Sequence, residues 1–196
     1  MLSPVPAVLV SCGGTKEWKP NLITIAWAGT VCTNPPMLSI SVRPERYSYD
    51  IINETGEFVV NIPSAKQAKI TDWCGVVSGR EQDKFEKTGL TCAPALHVSC
   101  PIVQECPVNI ECRVTQTLRL GSHVMFLAEV VAVQASAELI DAKGKLCLEK
   151  AGLIAYVHGA YFELGRYLGH FGFSVRKKAS SKPRRSHERK QRKPKA

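Results

Sequence analysis

The 196-residue sequence predicts a mainly β domain, a closed or split β-barrel with a few short helices. Short segments rich in β-branched residues recur along the chain, and Gly or Pro follows most of them. Few stretches have the period of a helix. Apolar residues make up 44% of the chain, which is enough for a buried core and excludes general disorder.

The first half of the chain contains four predicted strands. They cover residues 7–12, 22–28, 37–42 and 58–62. Gly13 and Gly29 end the first two, and Pro63 ends the fourth. Pro35 and Pro36 interrupt the ladder before the third strand, because proline has no backbone N–H to donate.

Helices are predicted between these strands. Residues 47–55 form a short helix with Gly56 as its C-terminal stop. Ser64 and Gln67 have the spacing of a capping box, so a second helix is expected to begin there and to run towards Val77.

Two long strands dominate the second half. Residues 110–118 alternate between apolar and polar side chains, which predicts a half-exposed strand. Residues 123–134 are more apolar throughout, which predicts a strand covered on both faces. A tight turn at 120–122 joins them, and 153–157 form a last short strand.

Charge divides the chain into a folded domain, 1–175, and a basic tail, 176–196. The tail holds eleven basic residues and one acid, so the domain itself is nearly neutral. Without an apolar period the tail is expected to be disordered. It could steer an acidic electron-transfer protein towards the domain, or it could be a solvated, dispensable extension. Binding of the tail to nucleic acid or to an anionic membrane is the less favoured alternative, because the domain is nearly neutral and no aromatic residue follows Phe173 for base stacking.

No apolar run approaches the roughly 20 residues that span a bilayer, and the first residues lack a basic segment before an apolar one. A cytoplasmic protein is therefore expected. The eight cysteines contain no C-x2-C pair, so no metal site is predicted and free, mostly buried thiols are favoured. A sensing disulfide between Cys106 and Cys112 is disfavoured, since six positions along a strand span about 20 Å.

Motifs for hydrolysis, a phosphate-cradling loop and a dinucleotide-binding G-x-G-x-x-G are absent from the sequence. One arrangement nevertheless suits an anion. Arg43 and Arg46 follow the third predicted strand, and Ser48 begins the first helix. Hydroxyls, guanidinium groups and free N–H groups at a helix start make a phosphate site, although an ordinary N-cap with solvated arginines explains the same residues.

An ordered set of short motifs spans residues 1–170. The motifs are Asn21-x-x-Thr24-Ile25-Ala26-Trp27-x-Gly29, Asn34-Pro35-Pro36, Ser41-Val42-Arg43, Arg46-Tyr47-Ser48, Glu57-Phe58-Val59-Val60-Asn61-Ile62-Pro63, Asp83-Lys84-Phe85, Glu105-Cys106-Pro107-Val108-Asn109-Ile110-Glu111-Cys112, Gly121-Ser122-His123 and Tyr161-Phe162-x-Leu164-Gly165. Together they resemble the flavin-reductase-like, FMN-binding split-barrel family, and within it the flavoredoxin-type branch.

The resemblance implies a homodimeric, six-stranded Greek-key barrel that binds FMN without covalent attachment. Several of the implied contacts to the flavin are made through backbone atoms. The implied cofactor-binding residues are Asn21, Ala26, Trp27, Thr30, Cys32, Ser41, Arg43, Ser48, Lys84, His123 and Tyr156.

Five of these residues have roles that the resemblance specifies further. Ser48 stands where the family often has Thr, near the phosphate, and Lys84 is a cationic contact to the flavin or its phosphate. His123 approaches the flavin, and Trp27 can cover its ring. Cys32 stands where many relatives carry Ser, so it lacks the corresponding hydroxyl. On composition alone, Trp27 reads as a core residue, Lys84 as a surface charge and His123 as a structural histidine. His97, His158 and His170 are also interpreted as structural residues.

The expected function is electron transfer through bound FMN, with no general acid, nucleophile or metal required from the protein. The donor and acceptor stay open at this point. An electron carrier between proteins is one possibility, and an NAD(P)H-dependent FMN or ferric reductase is the alternative.

Overall fold

The computed structural model describes residues 2–175. Residues up to Leu164 form one compact unit, and a second unit begins at Gly165. The described part of the second unit contains a short 3-10 turn at Phe173–Val175. The predicted disordered tail, 176–196, lies outside the described residues. No helix among residues 2–175 is long and apolar enough to cross a membrane.

Twelve strands and three α-helices make up the first unit. The strands are β1 (Val5–Pro6), β2 (Val8–Cys12), β3 (Asn21–Ile25), β4 (Ala28–Cys32), β5 (Met37–Val42), β6 (Glu57–Ile62), β7 (Cys92–Ala93), β8 (Ile102–Val103), β9 (Val108–Arg119), β10 (Val124–Ala135), β11 (Ile154–Val157) and β12 (Ala160–Glu163). The helices are α1 (Tyr47–Thr55), α2 (Ala68–Val76) and α3 (Lys84–Thr88).

Seven strands form one curled antiparallel sheet in the order β3-β2-β6-β9-β10-β5-β4. Alternate side chains of these strands point inward, so Val10, Ile40, Phe58 and Phe126 meet in one core. Helix α1 covers an end of that core with Ile51. The predicted mainly β split-barrel fold is confirmed.

The seam of the barrel lies where one predicted strand is in fact two. Residues 22–28 read as a continuous strand, but β3 ends at Ile25 and β4 begins at Ala28. Because β3 and β4 are the two edges of the sheet, the chain passes from one edge to the other through Ala26 and Trp27. The Trp27 carbonyl accepts a hydrogen bond from the Ser41 N–H at 2.8 Å, which fixes this crossing against β5.

The long strands β9 and β10 pair along their length, with register shifts between Leu127 and Ala128 and between Val130 and Ala132. Strand β10 is not covered on both faces. In its first half buried Val124, Phe126 and Ala128 alternate with half-buried residues, and beyond Ala128 every residue of the strand is half-buried or exposed. The predicted last strand is β11, and it forms a hairpin with β12 in a small sheet of order β1-β11-β12.

The two predicted helices are confirmed, with a difference at the second. Gly56 adopts the left-handed conformation (φ 66°) that ends α1. The Ser64–Gln67 capping box is present, but it opens a 3-10 turn at Ala65–Gln67 before α2 begins. All eight cysteines are free and six are buried, as predicted.

A buried carboxylate ties a loop to the sheet. Glu111 on β9 has no exposed surface, and its oxygens accept hydrogen bonds from Leu96 N (2.9 Å), His97 N (2.7 Å) and Gln134 Nε2 (2.8 Å). Burial alone raises the pKa of Glu111, but these hydrogen bonds outweigh it, so the pKa lies below its usual value. The ionised form therefore stabilises the fold.

Substituting Glu111→Gln is expected to lower the free energy of unfolding by about 2 kcal/mol. The substitution replaces one carboxylate oxygen with an NH2 group, which cannot accept a hydrogen bond, so one of the two backbone N–H donors loses its acceptor. Since the folded pKa is lowered, the contribution of Glu111 is present at neutral pH and is lost as the pH falls through that value. Urea unfolding at pH 7 measures the change, with Glu129→Gln, at an exposed carboxylate of β10, as the control. Equal stability of E111Q and the wild type would contradict the assignment.

Candidate functional site

A cavity of ≈ 330 Å³ opens at the seam between β3 and β4. Edge strands carry backbone groups without a neighbouring strand, so this is where the fold leaves donors and acceptors free for a ligand. Six of the predicted binding residues line the cavity. They are Ala26, Trp27, Ser41, Arg43, His123 and Tyr156.

One wall of the seam cavity is aromatic. Trp27 is 46% exposed, which is unusual for so large an apolar side chain, and its ring lies parallel to that of His123 with centroids 6.2 Å apart. The Nδ1 atom of His123 lies 2.9 Å from Ser122 Oγ, which orients the imidazole. The rival interpretation of Trp27 as an ordinary core residue is therefore wrong. Such a wall suits the face or edge of a planar ring.

A second cavity, of ≈ 280 Å³, continues from the first. The two share Ile23, Arg46 and Gly75, and Ser48 and Lys84 line the second. The shared residues make the two cavities adjacent, and we call the pair the path. The first cavity has the aromatic wall, and Arg46 and Lys84 line the second.

Ser48 faces this second cavity as a buried residue of α1. The helix N-cap is Arg46, which makes no side-chain capping bond, so the alternative reading of Ser48 as an ordinary N-cap is wrong. The Ser48 Oγ accepts a hydrogen bond from Asn21 Nδ2 at 2.8 Å. Asn21 thus holds the serine hydroxyl, and it also lines a small cavity next to Lys19.

Lys84 is a buried cation at the start of α3. It is 3% exposed, so the alternative interpretation as a surface charge is wrong. Among the described residues its Nζ has a single hydrogen-bond partner, the Cys74 carbonyl oxygen at 2.7 Å, although an ammonium has three N–H donors. Burial lowers the pKa of Lys84 to about 8, against the opposing influence of the Cys74 and Cys12 thiols. A buried ammonium with spare donors suits an anionic ligand.

Among the charged side chains that line the two cavities, basic residues outnumber acidic ones. Arg43 and Arg46 join Lys84, while Glu45 and Asp72 oppose them. Arg43 forms an exposed ion pair with Glu45 (2.7 Å), which contributes little to stability. A phosphate group would balance the remaining positive charge.

Residues of α2 and β12 complete the seam cavity and were not predicted. Asp72, Gly75 and Tyr161 all line it. A Cβ on Gly75 would lie 3.2 Å from Thr24 Cβ, so the small residue lets α2 approach β3 closely. Burial, with the adjacent Asp72 carboxylate, raises the pKa of Tyr161 to about 12. Gly75, a glycine inside a predicted helix, is the one feature of the sequence that could have indicated this part of the site.

Two predicted residues line none of the cavities described above. Thr30 and Cys32 are farther along β4, exposed and half-buried respectively. The path therefore brings together eight of the eleven predicted residues, and Asn21 contacts it through Ser48.

Solved structures and sequence relatives agree with this architecture. A flavoredoxin of Desulfovibrio vulgaris (Miyazaki F) superposes with a TM-score of 0.83 at 30% identity, covering 90% of this chain and 95% of that one. A flavoredoxin from Methanosarcina acetivorans gives 0.79 at 32% identity with the same coverage. A protein of Archaeoglobus fulgidus is 35% identical over 115 residues, which are 59% of this chain and 65% of the relative.

The family comparison covers the whole first unit. The flavin reductase like domain matches residues 1–165, which is most of the chain. The resemblance drawn from the ordered motifs is thus confirmed, and the chain belongs to the flavin reductase like domain family.

Proposed function

We propose that this chain is an FMN-binding flavoprotein of the flavoredoxin type, which transfers electrons through non-covalently bound FMN. The observation that carries the proposal is the pair of adjacent cavities, one with an aromatic wall and the other lined by buried Lys84. Bound FMN would supply one- and two-electron redox chemistry. The protein's part is to hold, orient and tune the cofactor.

The cationic end suits the phosphate. Arg46 and Lys84 would neutralise its charge, and the Ser48 hydroxyl would donate a hydrogen bond while Asn21 holds its oxygen. The unsatisfied donors of the Lys84 ammonium are a physical reason to expect an anion there. This arrangement favours FMN over riboflavin, which lacks the phosphate.

The aromatic end suits the flavin ring. Trp27 and Tyr156 would cover it, and His123 would offer an N–H to the side of the ring that gains electron density on reduction. Free backbone groups at the seam would supply further hydrogen bonds. The protein carries no nucleophile in these roles, so its reactivity would be that of the cofactor.

Titration of the purified protein with FMN tests the proposal. The expected result is yellow protein with one FMN per chain and much weaker binding of riboflavin. Anaerobic mixing of the loaded protein with NADH and then NADPH then separates the two versions of the function. Bleaching of the oxidised-flavin absorbance within seconds would favour an NAD(P)H-dependent flavin or ferric reductase, whereas no bleaching would favour a carrier between proteins. A folded protein that stays colourless with FMN would overturn both.

The proposal also covers the oligomeric state of the protein, its cellular compartment and the role of its basic tail. A symmetric homodimer would close the open side of the seam, and light scattering should then give twice the chain mass of 21.5 kDa. A cytoplasmic setting suits eight free thiols. The basic tail, 176–196, would attract an acidic redox partner rather than nucleic acid.

A further inference from the structure

The second cavity of the path lies between two walls that come from different parts of the chain. Residues 45–48, at the start of α1, form one wall. The other wall comes from the end of α2, the connection that follows it and the first residue of α3. Its lining residues are Cys74, Gly75, Val77, Ser78, Gly79 and Lys84. The separation of these two walls therefore determines which anion the cavity can hold.

The Arg80 side chain crosses from the second wall to the first. Its Nη1 donates a hydrogen bond to the Glu45 carbonyl oxygen at 3.2 Å, and its Nη2 lies 2.6 Å from Asp50 Oδ2. The central carbon of its guanidinium group lies 5.2 Å from the centroid of the Tyr47 ring. One planar cation thus contacts three groups at the start of α1.

The three contacts of Arg80 reinforce one another. The Arg80 and Asp50 side chains are 51% and 43% exposed, and an ion pair of that exposure contributes little to stability on its own. A guanidinium that already lies over a ring loses less freedom when it forms each hydrogen bond. Of the three ion pairs found within residues 2–175, this is the one that joins the two walls.

Hydrogen bonds of its own fix the connection that carries Arg80. Ser78 Oγ accepts a hydrogen bond from the Arg80 N–H, and the Ser78 carbonyl oxygen accepts from the N–H groups of Glu81 and Gln82, all at 3.2 Å. Asp83 then caps α3 by accepting a hydrogen bond from the Glu86 N–H. The contacts of Arg80 therefore act on Lys84, four positions further on, through a short and fixed segment.

We propose that Arg80 is a positioning residue for the FMN phosphate, because it holds Lys84 and Ser48 at the separation that the phosphate would bridge. Arg80 lines neither cavity of the path, so it acts through the two walls rather than by touching the phosphate. Two walls that are held in place before the ligand arrives bind it more tightly, since binding then costs less conformational entropy. This role rests on the proposed function.

Substituting Asp50→Asn separates positioning from a simple effect of charge. Loss of a negative charge near the path would strengthen the binding of an anion through electrostatics alone. Loss of the ion pair with Arg80 would instead loosen the two walls and weaken binding. Glu54→Gln is the matched control, because Glu54 is an exposed carboxylate one turn further along α1.

Titration of the full chain with FMN and with riboflavin measures these effects. We expect Asp50→Asn to weaken FMN binding about fivefold and Arg80→Met about tenfold, while riboflavin affinity stays within twofold in both variants. Glu54→Gln should keep FMN affinity within twofold of the wild type. The double variant should bind FMN within twofold of Arg80→Met, because either change breaks the same tie. Thermal unfolding confirms that the variants are folded, and if Arg80→Met is not, the comparison of Asp50→Asn with Glu54→Gln decides alone.

Three results would overturn this role and leave the proposed function standing. The first is FMN binding by Asp50→Asn that is as tight as in the wild type or tighter. The second is an equal loss of FMN and riboflavin affinity in Arg80→Met, which would show a general disturbance of the site. The third is full additivity in the double variant. A wild type that binds no FMN would overturn the proposed function, and this role with it.

Discussion

Replacing Lys84 with methionine is expected to weaken FMN binding about 100-fold, or ~2.7 kcal/mol. Methionine keeps the length of the buried side chain but removes the charge that would face the phosphate. Riboflavin affinity should change less than threefold, because riboflavin has no phosphate. Fluorescence titration of the apoprotein with both flavins measures the two effects.

A matched control is available on the same helix. Lys87 is exposed on α3, so Lys87→Met changes the net charge equally without altering the buried cluster. Its FMN affinity should stay within twofold of the wild type. An equal loss in both variants would show a general effect of charge, and no loss in Lys84→Met would place the phosphate elsewhere.

The pH dependence of FMN affinity follows from the same residue. The pKa of Lys84 is lowered to about 8, so the free protein loses this proton as the pH rises through 8. FMN affinity should therefore fall above pH 8 in the wild type, and K84M should not show the fall. The contribution of Lys84 to the free energy of unfolding of the apoprotein should rise between pH 8 and 10.5, since there the unfolded chain holds the proton that the folded chain has lost. The difference in unfolding free energy between the wild type and K84M measures this contribution apart from the buried thiols, which titrate in the same range.

Substituting Gly79→Ala is expected to destabilise the protein by about 2 kcal/mol and to weaken FMN binding about tenfold. A Cβ at this position would overlap the Asn21 amide oxygen and lie 2.9 Å from Tyr47 Cδ1. Asn21 is buried, so it can move only by giving up its hydrogen bond to Ser48. The serine would then lose the group that orients it towards the phosphate.

Urea unfolding and FMN titration measure the two losses. Gly29→Ala is the control, because its Cβ meets open space. The double variant with Asn21→Ala removes the clashing amide, so adding Gly79→Ala to Asn21→Ala should cost less than it does in the wild type. Full additivity would mean that the two residues are not coupled in this way.

Patterns in the sequence predicted the fold well, because periodicity and turn residues act locally. The patterns failed at the seam, since residues 22–28 are apolar except for Thr24 and nothing in them marks the crossing at Ala26 and Trp27. That crossing depends on which strands become the edges of the sheet, and edge position is set by long-range pairing. Sequence likewise could not place β12, whose residues are mostly exposed.

Some residues of the candidate site could be predicted from the sequence, and others could not. Arg43 and Ser48 could be proposed from sequence, because strand ends and helix starts have recognisable chemistry. The burial of Lys84 could not be predicted, since Asp83 and Glu86 near it in the chain are charged. It arises from long-range packing of α3 against other elements, including β3 and α2, whose Cys74 carbonyl accepts from the lysine. Asp72 and Tyr161 meet from segments almost ninety positions apart, which no local pattern records.

The buried thiols have a consequence for any protein that passes electrons. Burial raises the pKa of Cys12, Cys106 and Cys112 to about 12, so these sulfurs stay protonated at physiological pH. Because the thiolate is the species that attacks disulfides and peroxides, they are chemically inert in the native state. Reducing equivalents held in the barrel would therefore not be diverted into the chemistry of these three buried sulfurs.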